Sequence, residues 1–175
     1  MKMFKRFAAV LLVGVMALAM LTACGERTSK IGKEFEDKYV AALNTLRGEG
    51  AEALKNDEAL REKALGQLSY VKGDGTIADP EKNAIVTTVL EKDKSNNPVK
   101  IQLVVVLGKK DTADGVYKAT EITAEALKNI NSTMSGTNAQ NIAKAIQKFG
   151  IATKVVNGKT YAAAAMEVDA SAFKS

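Results

Sequence analysis

Asn157-Gly158 lies between two β-prone stretches, Ile151 to Val156 and Lys159 to Val168, and dictates a hairpin there. Both central residues of a type I′ turn need positive φ, which Asn and Gly adopt at least cost, so a two-residue loop joins antiparallel strands. The loop fixes the register. Val156 faces Lys159 and Val155 faces Thr160, which puts Ile151, Val155, Ala162, Ala164, Met166 and Val168 on one face and Lys154, Tyr161 and Glu167 on the other. A helix over Tyr161-Ala-Ala-Ala-Ala-Met166 is the competing reading, because alanine is the best helix former; the turn and the matching of faces favour the strand.

A second hairpin precedes it. The β-branched run Ala84-Ile85-Val86-Thr87-Thr88-Val89-Leu90 follows the turn residues Gly73-Asp74-Gly75 through Asp79-Pro80. Ser95-Asn96-Asn97-Pro98 separates it from Val99 to Leu107, whose later half is apolar on both faces and so predicts a central, covered strand. A short strand, Val116 to Ile122, comes after Asp114-Gly115.

Helices are marked by their own period. Ile31, Phe35, Tyr39, Leu43 and Leu46 form one apolar stripe, with Lys33, Glu34, Glu36, Asp37 and Lys38 around the rest, and the pattern stops near Gly48 and Gly50. Asn56 reads as the N-cap of a second helix, with Asp57 and Glu58 in its acidic first turn and Leu60, Ala64, Leu65 and Leu68 on its face. Ile122 and Leu127 fit a hydrophobic staple around an N-cap at Thr123, and Thr137 with Gln140 fits a capping box. Ala139, Ile142, Ala143, Ile146 and Phe149 then line a helical face, with Gly150 as C-cap. The expected fold is α+β: one domain over residues 31–175, an antiparallel sheet of about four to five strands with helices packed on it.

The N-terminus has a different character. Met1-Lys2-Met3-Phe4-Lys5-Arg6 is cationic, an apolar run extends from Phe7 to Met20, and Leu21-Thr22-Ala23-Cys24 follows before the polar Gly25-Glu26-Arg27. That run is shorter than the ~20 residues of a comfortable membrane span, and the pattern is that of a secretory signal peptide over residues 1–23. Leu-Thr-Ala-Cys resembles the lipobox of bacterial lipoproteins, and Cys24 is the one cysteine of the chain. The resemblance implies diacylglycerol transfer to the Cys24 thiol, cleavage between Ala23 and Cys24, palmitate-type acylation and a mature chain tethered by residues 24–30. It places the domain in the bacterial cell envelope on the extracytoplasmic side, on the outer membrane or the outer face of the plasma membrane. Gly25, where an Asp would retain the protein, is compatible with export to an outer membrane.

Cleavage removes Lys2, Lys5 and Arg6, so the net charge of +5 falls to +2, spread through mixed stretches such as Glu91-Lys92-Asp93-Lys94. A surface of that kind is no footprint for nucleic acid. Without a histidine in the chain there is no imidazole base and no His-ligated zinc, and one cysteine makes neither an intrachain disulfide nor a thiolate cluster. No cofactor and no metal is expected.

Local matches to catalytic motifs fall short. Gly158-Lys159-Thr160 ends like a P-loop, but residue 153 is Thr where the loop needs Gly. Ser171-Ala172-Phe173-Lys174 matches Ser-x-x-Lys with no companion motif downstream. Asp93-Lys94-Ser95-Asn96-Asn97 starts like a calcium loop, but Pro98 replaces the glycine and Val104 the final Glu, so a hairpin tip is the better reading. Asp111 and Asp114 read as turn residues before they read as metal ligands. Of Tyr39, Tyr70, Tyr117 and Tyr161, Tyr39 belongs to the helical core stripe, and Tyr161 is the candidate for an exposed ligand-binding residue.

Two helices, a long hairpin and a short strand introduced by Gly115-Val116-Tyr117-Lys118 are similar to the opening of cystatin-like and nuclear-transport-factor-like rolls, over residues 31–122 at most. The helical stretch 124–149 departs from them, and no functional residue carries over. The functional expectation is a membrane-anchored, non-catalytic binding module whose partner is an envelope protein, the alternative being a small carboxylate-dependent envelope hydrolase.

Overall fold

The computed structural model describes residues 26–133 and 137–173. In chain order the elements are α1 (Glu26–Arg47), α2 (Glu58–Gln67) with a 3-10 turn at Leu68–Tyr70, α3 (Pro80–Asn83), β1 (Ile85–Lys92) and β2 (Pro98–Val106). There follow β3 (Gly108–Lys110), β4 (Tyr117–Ala119), α4 (Ala124–Thr133), α5 (Thr137–Ala145), β5 (Ile146–Val156), β6 (Lys159–Asp169) and a closing 3-10 turn at Ala170–Phe173. β1, β2, β6 and β5 form one antiparallel sheet in that spatial order, and β3 pairs with β4 in a separate ribbon. The fold is α+β, as expected from the sequence.

Helices cover both faces of the sheet, which divides the apolar interior in two. On one side Phe35, Tyr39 and Leu43 of α1, Leu127 and Ile130 of α4, and Ile142 and Ala143 of α5 pack on Ile101, Leu103, Val105, Ala162, Ala164 and Val168. The Tyr39 ring stacks on Phe149, with centroids 5.7 Å apart. On the other side Leu60 and Ala64 of α2, with Leu68, pack on Val104, Val106, Ala152, Tyr161, Ala163 and Ala165. The covered central strand predicted at Val99–Leu107 is therefore β2, flanked by β1 and β6.

The alanine run is a strand, and the covering of both faces explains its composition. Ala162 and Ala164 face the α1 side, Ala163 and Ala165 face α2, and residues this small let both helical layers approach one thin sheet. Gly150 does the same on β5, where a Cβ would run into the backbone of Leu60 and Arg61. The hairpin register is as predicted, with Val156 opposite Lys159 and Val155 opposite Thr160. Asn157 and Gly158 have φ of 50° and 78°.

Several expectations are corrected. The helix expected to run through Phe149 to a cap at Gly150 stops at Ala145, and Ile146 already pairs with Val168. A buried cation stands at its end instead of a glycine turn: the Arg47 guanidinium donates to Ala143 O in the last turn at 2.6 Å, favoured by the negative end of the helix, and to Ile146 O at the start of β5. The cap of α2 is Asp57, whose carboxylate accepts from Leu60 N–H at 3.0 Å, and not Asn56. The strand expected at Val116–Ile122 is only Tyr117–Ala119 and lies outside the main sheet. Residues Glu26 to Lys30, read as the end of the tether, are helical. The cap at Thr123 is present, its hydroxyl accepting from Ala126 N–H at 3.3 Å. Part of the Thr137 capping box lies outside the described residues.

Asn56 has another task. β5 is an edge strand, and its outward-facing groups are closed by neighbours: Phe149 C=O accepts from Asp57 N–H at 2.8 Å. The Asn56 amide accepts from Ile151 N–H at 2.8 Å and donates to Ile151 C=O at 3.0 Å. Glu36 accepts from Thr153 N–H and hydroxyl, each at 2.8 Å, while its other oxygen takes Arg61 at 3.1 Å. A side-chain amide and a carboxylate thus stand where a fifth strand would.

Candidate functional site

A cleft of about 370 Å³ opens at the end of the sheet where β5 turns into β6. Its walls come from four segments. β2 runs on through the buried Leu107, which bonds to Ala162 C=O, and the chain then leaves the sheet as β3. Gly108 permits that exit, since a Cβ there would meet the Lys118 carbonyl oxygen across the ribbon. The loop at 72–77 docks on β4 through Ala119 N–H to Gly75 C=O at 2.8 Å, and Gly75 has φ of 83°, which suits glycine. The Tyr161 hydroxyl ties the loop to β6 by donating to Gly73 C=O at 2.9 Å.

The cleft carries charges of both signs. Lys118 lies 2.7 Å from Asp111 and 3.2 Å from Asp114, and Lys159 lies 3.7 Å from Glu121. The hydrogen bond from Lys118, with help from Ala113 N–H, holds the Asp111 carboxyl below the usual carboxylate range, and Asp111 and Asp114 raise Lys118. Asp74 is lowered chiefly by the Thr76 hydroxyl, which donates to it at 2.7 Å. Lys109 and Lys110 on β3 line the cleft without an ion pair among the described residues. The carboxylates of the cleft are thus engaged within the chain, by Lys118, by Lys159 and by the Thr76 hydroxyl, and its surface combines these internal pairs with the two ammonium groups of β3.

The sequence candidates fall as follows. Ala23 and Cys24 lie outside the described residues. Tyr161, expected to be exposed, is 1% exposed because α2 and the 72–77 loop cover its face; burial raises its pKa, and it forms the floor of the cleft. Val155, expected inside, is 42% exposed, since the hairpin end runs past the helices. Asp111 and Asp114 are turn residues as read: Asp111 accepts from Ala113 N–H at 2.9 Å and Asp114 from Val116 N–H at 2.8 Å. Asp93 organises its hairpin tip through Ser95 and Asn97 N–H groups at 2.9 and 2.8 Å. Ser171 N–H bonds to Asp169, and Lys174 lies outside the described residues. No group of three or more metal-ligating side chains occurs among the described residues.

The lysines of β3 and Glu121 were not singled out from the sequence. Each is an ordinary surface residue there, and only the fold of the ribbon against the hairpin brings them together.

No family model matches the chain, and no curated protein matches it. Among solved structures it matches a crystal structure of NaASP2 with Zn2+, at TM-score 0.35 and 10% identity over 82% of this chain and 83% of that one. A likeness of that size carries no argument. Among the described residues, no helix is long and apolar enough to cross a membrane.

Proposed function

We propose that the chain is a bacterial lipoprotein, anchored through Cys24 on the extracytoplasmic side of the cell envelope, whose domain acts by binding an envelope protein and not by catalysis. One observation carries the reading: the single cysteine of the chain stands at the end of Leu21-Thr22-Ala23-Cys24, directly after a cationic and then apolar leader. The mixed-charge cleft supports a binding role, because each carboxylate on its walls is already engaged by a donor or a cation. With α1 starting at Glu26, two residues beyond Cys24, the first residue of α1 would stand within about 7 Å of the anchor point at ~3.3–3.6 Å per residue. A partner would then be met at the membrane surface.

The experiment is metabolic labelling with a fatty-acid analogue. The wild-type chain should carry the label and fractionate with membranes; Cys24→Ser should lose the label and appear as soluble or uncleaved precursor. A labelled Cys24→Ser chain would sink the proposal.

A further inference from the structure

The two edges of the main sheet are finished differently. On β5, Asp57 N–H, the Asn56 amide and the Glu36 carboxylate take outward-facing groups of Phe149, Ile151 and Thr153. Along β1 no described residue does so. The bond from Val106 N–H to Ala84 C=O at 3.0 Å, with Ile85 opposite Val105, sets the phase of the β1–β2 ladder. Val86 and Thr88 turn their backbone groups to β2, so those of Ile85, Thr87 and Val89 point away from the sheet. This open stretch is bounded at both ends. α3 ends at Asn83, and beyond Val89 the partners step from Val89/Ile101 to Glu91/Lys100, which leaves Leu90 as a bulge.

What remains is a five-residue segment, Ile85 to Val89, centred on Thr87. It is uncharged in a chain that is 26% charged, and Val89 is 42% exposed with Leu90 beside it at 40%. Open edges are normally blunted by lysine, proline or a cover. Here the bulge and, beyond it, Glu91 and Lys92 confine pairing to that segment.

We propose that β1 pairs with β1 of a second copy of this chain, antiparallel about a two-fold axis at Thr87. Outward-facing groups meet only outward-facing groups, so the register that uses the whole segment sets Ile85 opposite the partner's Val89 and Thr87 opposite the partner's Thr87. Identical strands suit this edge. No charge between Ala84 and Leu90 is brought against its like, Thr–Thr and β-branched pairs are favourable across strands, and Val89 gains an apolar neighbour. A foreign strand would be selected by charge or by a side-chain pocket, and the segment offers neither. Self-pairing about a two-fold closes at two copies.

The test uses the full chain in detergent micelles. In a hydrogen-bonded pair the Cα atoms lie about 5.5 Å apart, within disulfide reach, so Thr87→Cys should give a disulfide-linked dimer on mild oxidation. The wild-type chain, with only Cys24, and Lys154→Cys on the far hairpin should not. Thr87→Pro removes an outward N–H while sparing the ladder to β2. It should weaken self-association in sedimentation at least about tenfold with an unchanged thermal melt; Val89→Lys does the same by charge should the proline variant unfold. A wild-type chain that sediments as a monomer throughout, a dimer undiminished in folded Thr87→Pro or Val89→Lys, or a Thr87→Cys chain that couples only to a different protein overturns the proposal.

Discussion

Asn56 shows how much structure one side chain can settle. Ile151 is fully buried, so without the Asn56 amide its N–H and C=O would lie unpaired in the interior, at about 1–3 kcal/mol for each group. Asn56→Leu, similar in size but unable to bond, should therefore lower the urea midpoint by at least ~1 kcal/mol equivalent and speed exchange of the Ile151 amide. Asn56→Asp keeps the acceptor for Ile151 N–H but turns a carboxylate oxygen on the Ile151 carbonyl, so it should be destabilised at neutral pH and recover part of the loss in acid, where the protonated carboxyl can donate; a loss independent of pH would place the cost elsewhere. Asp111 makes a second case, through charge. Its carboxyl is held down first by Lys118, so it binds a proton more weakly folded than unfolded. That contribution is present above the ordinary carboxylate pKa of about 4 and is lost as pH falls through the folded value. In Lys118→Met the Asp111 carboxyl resonance should titrate at higher pH than in wild type, and an unchanged titration would deny the pair its role.

At the scale of the element, the two faces of α1 predict opposite outcomes. Phe35 is fully buried with its ring 5.7 Å from that of Tyr39, so Phe35→Ala should cost about 3–5 kcal/mol in denaturant unfolding. Lys38 only meets Glu34 at 2.9 Å, with both side chains about half exposed, and Lys38→Ala should cost under ~1 kcal/mol. Comparable losses would mean that the helical face has been misassigned. These two residues also mark what was legible in the sequence. The α1 stripe, the Asn157-Gly158 register and the Thr123 cap are decided by residues within a few positions of one another, and each is present in the fold. Ile146 and Phe149 continue the spacing of Ile142 and Ala143, yet they belong to β5, because strand pairing with Val168 and Met166 and the Arg47 cap outweigh a local period. Tyr161 is interior for the same reason: a polar-looking face is covered when α2, about a hundred residues earlier in the chain, lies on it. Of the cleft, the turn at Asp111 and the hairpin at Tyr161 are legible locally, but nothing in their neighbourhoods announces Lys109, Lys110, Glu121 or Lys159 as companions.

The whole molecule is two apolar layers sharing one thin sheet, and its tyrosines report on both. Tyr39 is buried in the α1 layer, Tyr161 in the α2 layer, and Tyr117 packs against the latter with its hydroxyl donating to Val106 C=O at 3.1 Å. Burial is the leading cause that raises all three phenols above their ordinary value. A raised phenol holds its proton more tightly in the folded state, so its stabilising contribution is complete below the ordinary value of about 10 and is lost as pH rises toward the folded value. Lys118 and Lys82, raised by their aspartate partners, act in the same direction. With no histidine in the chain, no side chain has an ordinary pKa between about 5 and 8. Urea midpoints should therefore be level from about pH 6 to 9 and fall above about pH 10, together with the rise of tyrosinate absorbance. Tyr161→Phe isolates one contribution: it should lose about 0.5–1.5 kcal/mol at neutral pH with the bond to Gly73, yet fall less steeply in alkali because one buried phenol no longer ionises on unfolding. A midpoint that shifts between pH 6 and 8, or an alkaline slope the same in Tyr161→Phe as in wild type, would show that the two layers do not govern the pH response through their tyrosines.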